Sequence, residues 1–427
     1  MQSAKAAPCQ HLKKHGAAPN PDFIEAAVSG PLDRFAGRHI SHVTLGWDQP
    51  GPDGVVMRSN DYLSLAGDPR IARAKAEELL AHGHGDAISR VFVHDRNDAH
   101  RAFEHRFAEL LRAEDAVLAM SGYNANTGLM QAFAGKDVVV YLDHRAHASL
   151  WEGVSAARAR AIPFRHNDAG DLARKIRHFG PGIVAVDALY STDGHVAPLV
   201  DIVAAAEAGG CAIIVDETHS FGCQGPGGAG IVVELGLEDR VHFRTVGLSK
   251  AVAARGGMVV GSACNMEFFR YEAFPMIFST SVLGYEIAGF DKTLDIIRDE
   301  PWRREQLAVN QRFLRDGLAD VGYDVTRSDR QIVAIITGGF EDTVFFREAL
   351  AKRGIFGSVF CPPATPKGAS LIRFTLNCSL TATDLDRTIA ACDDIRRKGS
   401  TIGLASRARV RSVPGGTTRN GPESRSN

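Results

Sequence analysis

Short, nearly all-apolar runs alternate with amphipathic stretches through most of the chain. Ala116–Met120, Val138–Leu142, Ile183–Val186, Ala212–Val215, His242–Val246 and Met258–Val260 have the length and composition of strands covered on both faces, where polar alternation is absent. Helical stretches lie between them, such as Leu199–Ala208, stopped by Gly209-Gly210. This alternation predicts an α/β fold built on a mainly parallel, doubly wound sheet. After about Pro301 the order becomes helix, strand (Gln331–Thr337), helix (Asp342–Lys352), strand (Ile355–Phe360), strand (Ser370–Leu376) and helix. That last helix opens on a capping box, Thr381-x-x-Asp384, carries Arg396-Arg397-Lys398 in its final turn, and has Gly399 as its stop. The pattern divides the chain into a disordered N-terminus (1–20), an N-terminal segment (21–58), a large domain (59–300), a small C-terminal α/β domain (301–398) and a disordered basic tail (399–427).

At 427 residues and 44% hydrophobic, the chain can bury one large core and a satellite. Its formal net charge of −1 argues against a protein whose main work is gripping nucleic acid or an anionic membrane. The charge is uneven: Arg396 to Asn427 holds eight basic residues against one acid, so the body is mildly acidic. Seven scattered cysteines with no C-x-x-C pair argue against a disulfide framework or a structural zinc, and for a reducing compartment. The N-terminus has no apolar h-region, and no run approaches the roughly 20 apolar residues of a membrane span. The expectation is a cytoplasmic protein with neither a nucleic acid nor a membrane as partner.

In an open parallel sheet, ligands bind beyond the carboxyl ends of the strands. Five successive strands here deliver polar residues to that edge: Ser121-Gly122-Tyr123-Asn124-Ala125-Asn126, Asp143-His144-x-x-His147, Asp187 with Tyr190-Ser191-Thr192-Asp193-Gly194, Asp216-Glu217-Thr218-His219, and Gly247-Leu248-Ser249-Lys250. Asp216 and Lys250, 34 residues apart, are the most informative pair. A lysine amine can form a Schiff base with the aldehyde of pyridoxal phosphate, and a carboxylate can keep the pyridine nitrogen protonated so the ring accepts carbanion density. Alone, an Asp after a strand reads as a helix N-cap and a Lys as a solvated surface residue; together they mark a site. Gly225-Pro226-Gly227-Gly228-Ala229-Gly230 imitates a glycine-rich nucleotide loop but does not follow a strand directly, and reads as an active-site turn. His82-x-His84 and His94-Asp95 lack metal-ligand spacing and read as loop or substrate-channel lining, so no metal is expected.

From Asn60 to Thr375, about three-quarters of the chain, the sequence resembles the α-oxoamine synthase family of fold-type I pyridoxal phosphate enzymes. The resemblance is carried by Ser59-Asn60-Asp61-Tyr62-Leu63, Ser121-Gly122-Tyr123-x-Ala125-Asn126, His147-Ala148-Ser149-Leu150-Trp151-Glu152, Tyr190-Ser191-Thr192-Asp193-Gly194, Asp216-Glu217-x-His219-Ser220-x-Gly222, Leu248-Ser249-Lys250-Ala251, Phe278-Ser279-Thr280 and Leu371-Ile372-Arg373-Phe374. Within the family it is most similar to the synthases of α-hydroxyketone quorum-sensing autoinducers, through Ser149–Gly153, His178–Ile183 and Gly354–Cys361.

The resemblance implies an aspartate aminotransferase-like fold with a smaller C-terminal α/β domain, and the cofactor pyridoxal 5′-phosphate. Lys250 would be the Schiff-base lysine and the base for the α-proton, Asp216 the partner of the ring nitrogen, and His147 a stacking platform on the ring. His219 and Ser191 would bond the ring's phenolic oxygen and its neighbours. Ser121, Gly122, Tyr123 and Ser249 would seat the phosphate, helped by Ser279 and Thr280 across a homodimer with shared active sites. Asn60 and Arg373 would bind substrate, Arg373 clamping the carboxylate. The implied reaction condenses an amino acid with a fatty acyl-CoA, with decarboxylation, to an α-aminoketone precursor of an autoinducer. The alternatives are 8-amino-7-oxononanoate synthase, glycine C-acetyltransferase or serine palmitoyltransferase chemistry, and more remotely a non-catalytic partner subunit, which would be expected to have lost Lys250. One position departs from the family pattern: three residues before Lys250, where a phosphate-binding Thr or Ser is usual, stands Gly247.

Overall fold

Two sheets, of seven and four strands, organise the chain. The computed structural model describes residues 20–29, 49–85, 87–93, 98–362 and 364–399. The stretches read above as a disordered N-terminus and basic tail lie almost wholly outside the described residues, as does His94-Asp95.

The larger sheet has seven strands: β2 (Asp115–Ala119), β3 (Val139–Asp143), β4 (Arg160–Phe164), β5 (Ile183–Asp187), β6 (Ala212–Asp216), β7 (Phe243–Gly247) and β8 (Gly257–Gly261), in the order β2-β8-β7-β6-β5-β3-β4. The six runs expected from the apolar pattern are all strands, displaced by no more than one residue at either end. Pairing is parallel throughout except at β8, which runs antiparallel to both β2 and β7. The apolar runs are apolar because both faces are covered. Tyr141, Val184, Val186, Ile213 and Val215 pack with Leu172, Ile176, Leu199 and Ile202 on one side. Their strand neighbours Val140, Leu142, Ala185 and Ile214 pack with Leu129, Met130, Leu150 and Val154 on the other. Fully burying each Val, Leu or Ile contributes roughly 1.5–3 kcal/mol, so the period-two division of one strand between two cores fixes its register.

The smaller sheet is β1 (Val55–Met57), β10 (Ile355–Phe360), β11 (Ser370–Thr375) and β9 (Ile332–Gly338), in that order. β1 pairs in parallel with β10, Val55 opposite Ile355, so the segment before residue 58 is tied to strands 300 residues later. The closing helix Ala382–Gly399 carries the expected capping box: Thr381 N–H donates to Asp384 Oδ2 (3.0 Å) and Asp384 N–H donates to Thr381 Oγ1 (3.2 Å). No helix among the described residues is long and apolar enough to cross a membrane.

Candidate active site

The carboxyl ends of β2, β3, β5, β6 and β7 converge on one cavity of about 560 Å³. Asn60, Ser121, Gly122, Tyr123, His147, Asp216, His219, Ser249 and Lys250 all line it. Nine of the thirteen candidates thus share one cavity, eight of them from the strand ends and Asn60 from the resemblance. Arg373 comes from β11 of the smaller sheet, its Nη1 donating to Ser191 O (2.6 Å) and its Nη2 to Asn60 Oδ1 (3.4 Å). Ser191 lines a neighbouring cavity of about 830 Å³ with Trp151, Ile336, Phe360 and Leu371, and His147 borders both cavities. Ser279 and Thr280 line neither: the Ser279 hydroxyl donates to Pro275 O, and Thr280 is exposed beside the exposed Phe278.

Asp216 is buried at the end of β6 with both oxygens satisfied. Oδ1 accepts from Thr218 N–H (2.8 Å) and Oδ2 accepts from Asn126 Nδ2 (2.7 Å). Asn126 also donates to Ser149 Oγ (2.9 Å) and accepts from the Thr245 hydroxyl (2.7 Å). The carboxylate is thus aimed by a network from three other elements. Asp187, its neighbour across the β5–β6 register, accepts from His147 N–H (2.9 Å). Burial first, and then the Asp216 charge, raise the Asp187 pKa well above the usual carboxylate range, which favours its neutral form.

Lys250 has its pKa pulled below the ordinary lysine value, first by burial and then by the Arg373 charge, with Asp216 opposing. Burial, then Lys250, Arg373 and His147, lower His219 well below the usual histidine range, so the ring is neutral. The Tyr62 phenol, pushed up by burial, lies 2.5 Å from His219 Nδ1. A protonated phenol beside a neutral ring donates to Nδ1, which leaves the His219 proton on Nε2. Burial also lowers Arg373, whose Nε has no hydrogen-bond partner among the described residues.

The phosphate end of the expected cofactor has a matching cradle. Ser121 caps the helix Gly122–Phe133, its Oγ accepting from Asn124 N–H (3.1 Å). The first N–H groups of such a helix have no intrahelical acceptor and face outward. This helix start is pressed against β7 and β8 so closely that a Cβ on Gly122 would meet Gly247 Cα at 2.8 Å, and one on Gly257 would meet Ser121 O at 2.3 Å. Glycine at both positions lets the helix start pack this closely against the two strands. With the Lys250 amine and the Asp216 carboxylate lining the same cavity, and the Arg373 guanidinium bonded to the lining residue Asn60, the donor set fits a phosphorylated aldehyde cofactor and a carboxylate substrate.

Sequence reasoning gave no role to Asn126, Ser149, Asp187, Thr218 or Tyr62. All but Tyr62 line the cavity, and all five stand in stretches quoted above, the signal that could have found them. The Gly225–Gly230 segment does not line the cavity, correcting its reading as an active-site turn. It leads into the short helix Ile231–Glu234 and covers Glu217, whose buried carboxyl accepts from Val232 N–H (2.9 Å). His82 pairs with Glu78 one helical turn away (3.0 Å) and His84 packs edge-on against Tyr285. Neither lines the cavities described above, and no metal-binding cluster exists among the described residues.

Residues 52–391 match the family model of class I and II aminotransferases. The CAI-1 autoinducer synthase of Vibrio campbellii is 40% identical over 88% of this chain and 95% of its own length. The 8-amino-7-oxononanoate synthase of Symbiobacterium thermophilum is 32% identical over 82% of this chain and 90% of its own. The serine palmitoyltransferase of S. paucimobilis, solved with PLP and myriocin bound, superimposes with a TM-score of 0.82 at 26% identity, covering 89% of this chain and all of that one. The fold is therefore the fold-type I transferase fold, and the chain belongs to the class I and II aminotransferase family, in its α-oxoamine synthase branch.

Proposed function

We propose that this chain is a pyridoxal 5′-phosphate-dependent acyltransferase that condenses an amino acid with a fatty acyl-CoA and makes the α-aminoketone precursor of an α-hydroxyketone autoinducer. The new carbon–carbon bond joins the amino acid's α-carbon to the thioester carbonyl. The C–S bond breaks to release CoA, and the carboxylate leaves as CO₂. One observation carries the reading: Lys250, Asp216 and His147 line one cavity, and His147 also borders a larger one of about 830 Å³ whose wall includes Trp151, Ile336, Phe360 and Leu371 beside charged residues, room for an acyl substrate. The identity to the CAI-1 synthase, higher than that to the biotin-type relatives, supports the autoinducer branch.

Bound there, the cofactor supplies an electron sink for charge developing at the α-carbon. Lys250, whose depressed pKa favours the free amine, would hold the cofactor's aldehyde and later take the α-proton. Asp216 would hold the ring nitrogen, and His147 would stack on the ring. His219, which lines the cavity, would offer Nε2–H, Ser191 lines the neighbouring cavity with His147, and Arg373 with Asn60 would receive the amino-acid carboxylate. Ser121, Gly122, Tyr123 and Ser249 seat the phosphate, completed by Ser279 and Thr280 of a second copy. The described cysteines are all free, which fits the cytoplasm.

The test is mass spectrometry of the ketones formed from a panel of amino acids and acyl-CoAs. A long-chain α-aminoketone as the main product supports the reading. Turnover confined to glycine with a short acyl group, or to serine, moves the chain to another branch, and no turnover of any pair overturns the assignment.

A further inference from the structure

The missing hydroxyl at 247 has a counterpart in space. Thr218 stands in the loop after β6, its backbone pinned by the bond to Asp216 Oδ1. Its Oγ1 accepts from Gly247 N–H at 2.8 Å. A hydroxyl has one proton and two lone pairs, so this bond leaves the proton uncommitted. The Thr218 hydroxyl donates to no described residue, and it lines the cavity with Ser121, Gly122 and Ser249. A Cβ on residue 247 would lie 3.0 Å from Thr218 Cγ2 and 3.2 Å from its Oγ1. That is tighter than ordinary contact, so a Thr or Ser at 247 and Thr218 in this rotamer compete for one space.

We propose that Thr218 supplies the side-chain hydroxyl of the phosphate seat and that Gly247 is the complementary half of the exchange, small because Thr218 fills the volume. The donor has moved from the β7 loop to the β6 loop while staying within one hydrogen bond of Gly247 N–H. The ligand group is a phosphate monoester dianion, whose oxygens accept a hydroxyl proton strongly. This inference rests on the pyridoxal phosphate reading.

Equilibrium dialysis of the folded apoprotein against pyridoxal 5′-phosphate, and separately against pyridoxal, tests it, with circular dichroism verifying the fold of each variant. Thr218→Val should weaken binding of the phosphorylated cofactor about 10- to 100-fold, the loss of one hydrogen bond to a charged oxygen, and leave pyridoxal binding unchanged. Thr218→Ser should retain the affinity. Gly247→Ser alone should weaken binding by crowding Thr218, and the Thr218→Ala/Gly247→Ser pair should recover most of it. Equal losses for both ligands in Thr218→Val would reduce Thr218 to packing against the ring and overturn the proposal. Tighter binding in Gly247→Ser alone would do the same. If the unsubstituted protein takes up neither ligand, the cofactor reading itself falls, an outcome distinct from either.

Discussion

Replacing Asp216 with Asn separates the charge of that group from its hydrogen bonds. Both carboxylate oxygens accept from N–H donors, Thr218 N at 2.8 Å and Asn126 Nδ2 at 2.7 Å. An amide has one oxygen, so one donor would face the new NH₂, and an orphaned buried donor costs about 1–3 kcal/mol. The surrounding network can remove that cost. If Asn126 turns its amide over, its oxygen accepts from the new NH₂ and from the Ser149 hydroxyl, and its own NH₂ meets the Thr245 hydroxyl. Both hydroxyls can donate or accept and already contact Asn126 at 2.9 and 2.7 Å. The Ser149 hydroxyl then accepts from His147 Nδ1, 2.7 Å away, in the tautomer that protonates it. The expected loss of stability is therefore under about 1 kcal/mol, below the full orphan penalty. Turnover should fall about 10- to 100-fold, the worth of one charge-assisted contact of roughly 1.5–3 kcal/mol. Urea unfolding of the apoprotein reads the first quantity and steady-state kinetics the second. A stability loss in the orphan range of about 1–3 kcal/mol, or above it, would refute the inverted network. Unchanged turnover would refute the assigned charge. The Asp187 pKa supplies an independent readout: the Asp216 charge is one of its raising causes, so carboxyl NMR should find it lower in the variant.

Borohydride reduction of the holoenzyme should fix a pyridoxyl label on Lys250, and Lys250→Ala should abolish label and turnover; a label on another lysine sinks the site assignment. Because the folded-state pKa of Lys250 is depressed, the unfolded chain binds more protons between that value and the ordinary lysine pKa of about 10.4. Its stability contribution is thus full above the ordinary value and lost as pH falls through the folded one, so apoprotein stability against pH should flatten in that window in Lys250→Met; an unaltered slope counts against the shift. Tyr62→Phe leaves His219 Nδ1 buried without its donor and should cost about 1–3 kcal/mol in urea unfolding, whereas a neutral result would mean the ring had found another partner. If Ser279 and Thr280 complete the seat of a second copy, dilution or Thr280→Val should release cofactor, and concentration-independent affinity would confine the phosphate to one chain.

The central strands were legible because burial on both faces leaves a contiguous apolar run, and the polar landing after each run pointed to one edge. Two strands escaped for opposite reasons. β4 is the sheet edge: Arg160, Ala161 and Pro163 are exposed, and a proline is tolerated there because the outward N–H has no ladder partner to lose. β1 spans three residues, and its partner Ile355–Gly357 is too distant in sequence for any local pattern to specify. The reversal of β8 was equally hidden, since an apolar run carries no sign of its direction.

The site divided along the same line. Lys250, Asp216 and His147 could be named because each follows its strand and has a chemistry of its own. Asn126, Thr218 and Tyr62 act only through partners brought near by the fold: Asn126 reaches Asp216 across 90 residues, Tyr62 reaches His219 across 157, and Thr218 reaches Gly247 across 29. The gap at Gly247 was visible in one dimension, and the nearest hydroxyls along the chain or across a dimer were the natural places to look for compensation. The parallel pairing of β6 with β7 instead sets the loop after β6 beside the loop after β7. Neighbouring parallel strands release their loops at the same edge, so a donor lost from one loop is most cheaply replaced from the adjacent one. In a doubly wound sheet, a missing ligand residue should therefore be sought one strand over before it is sought along the chain.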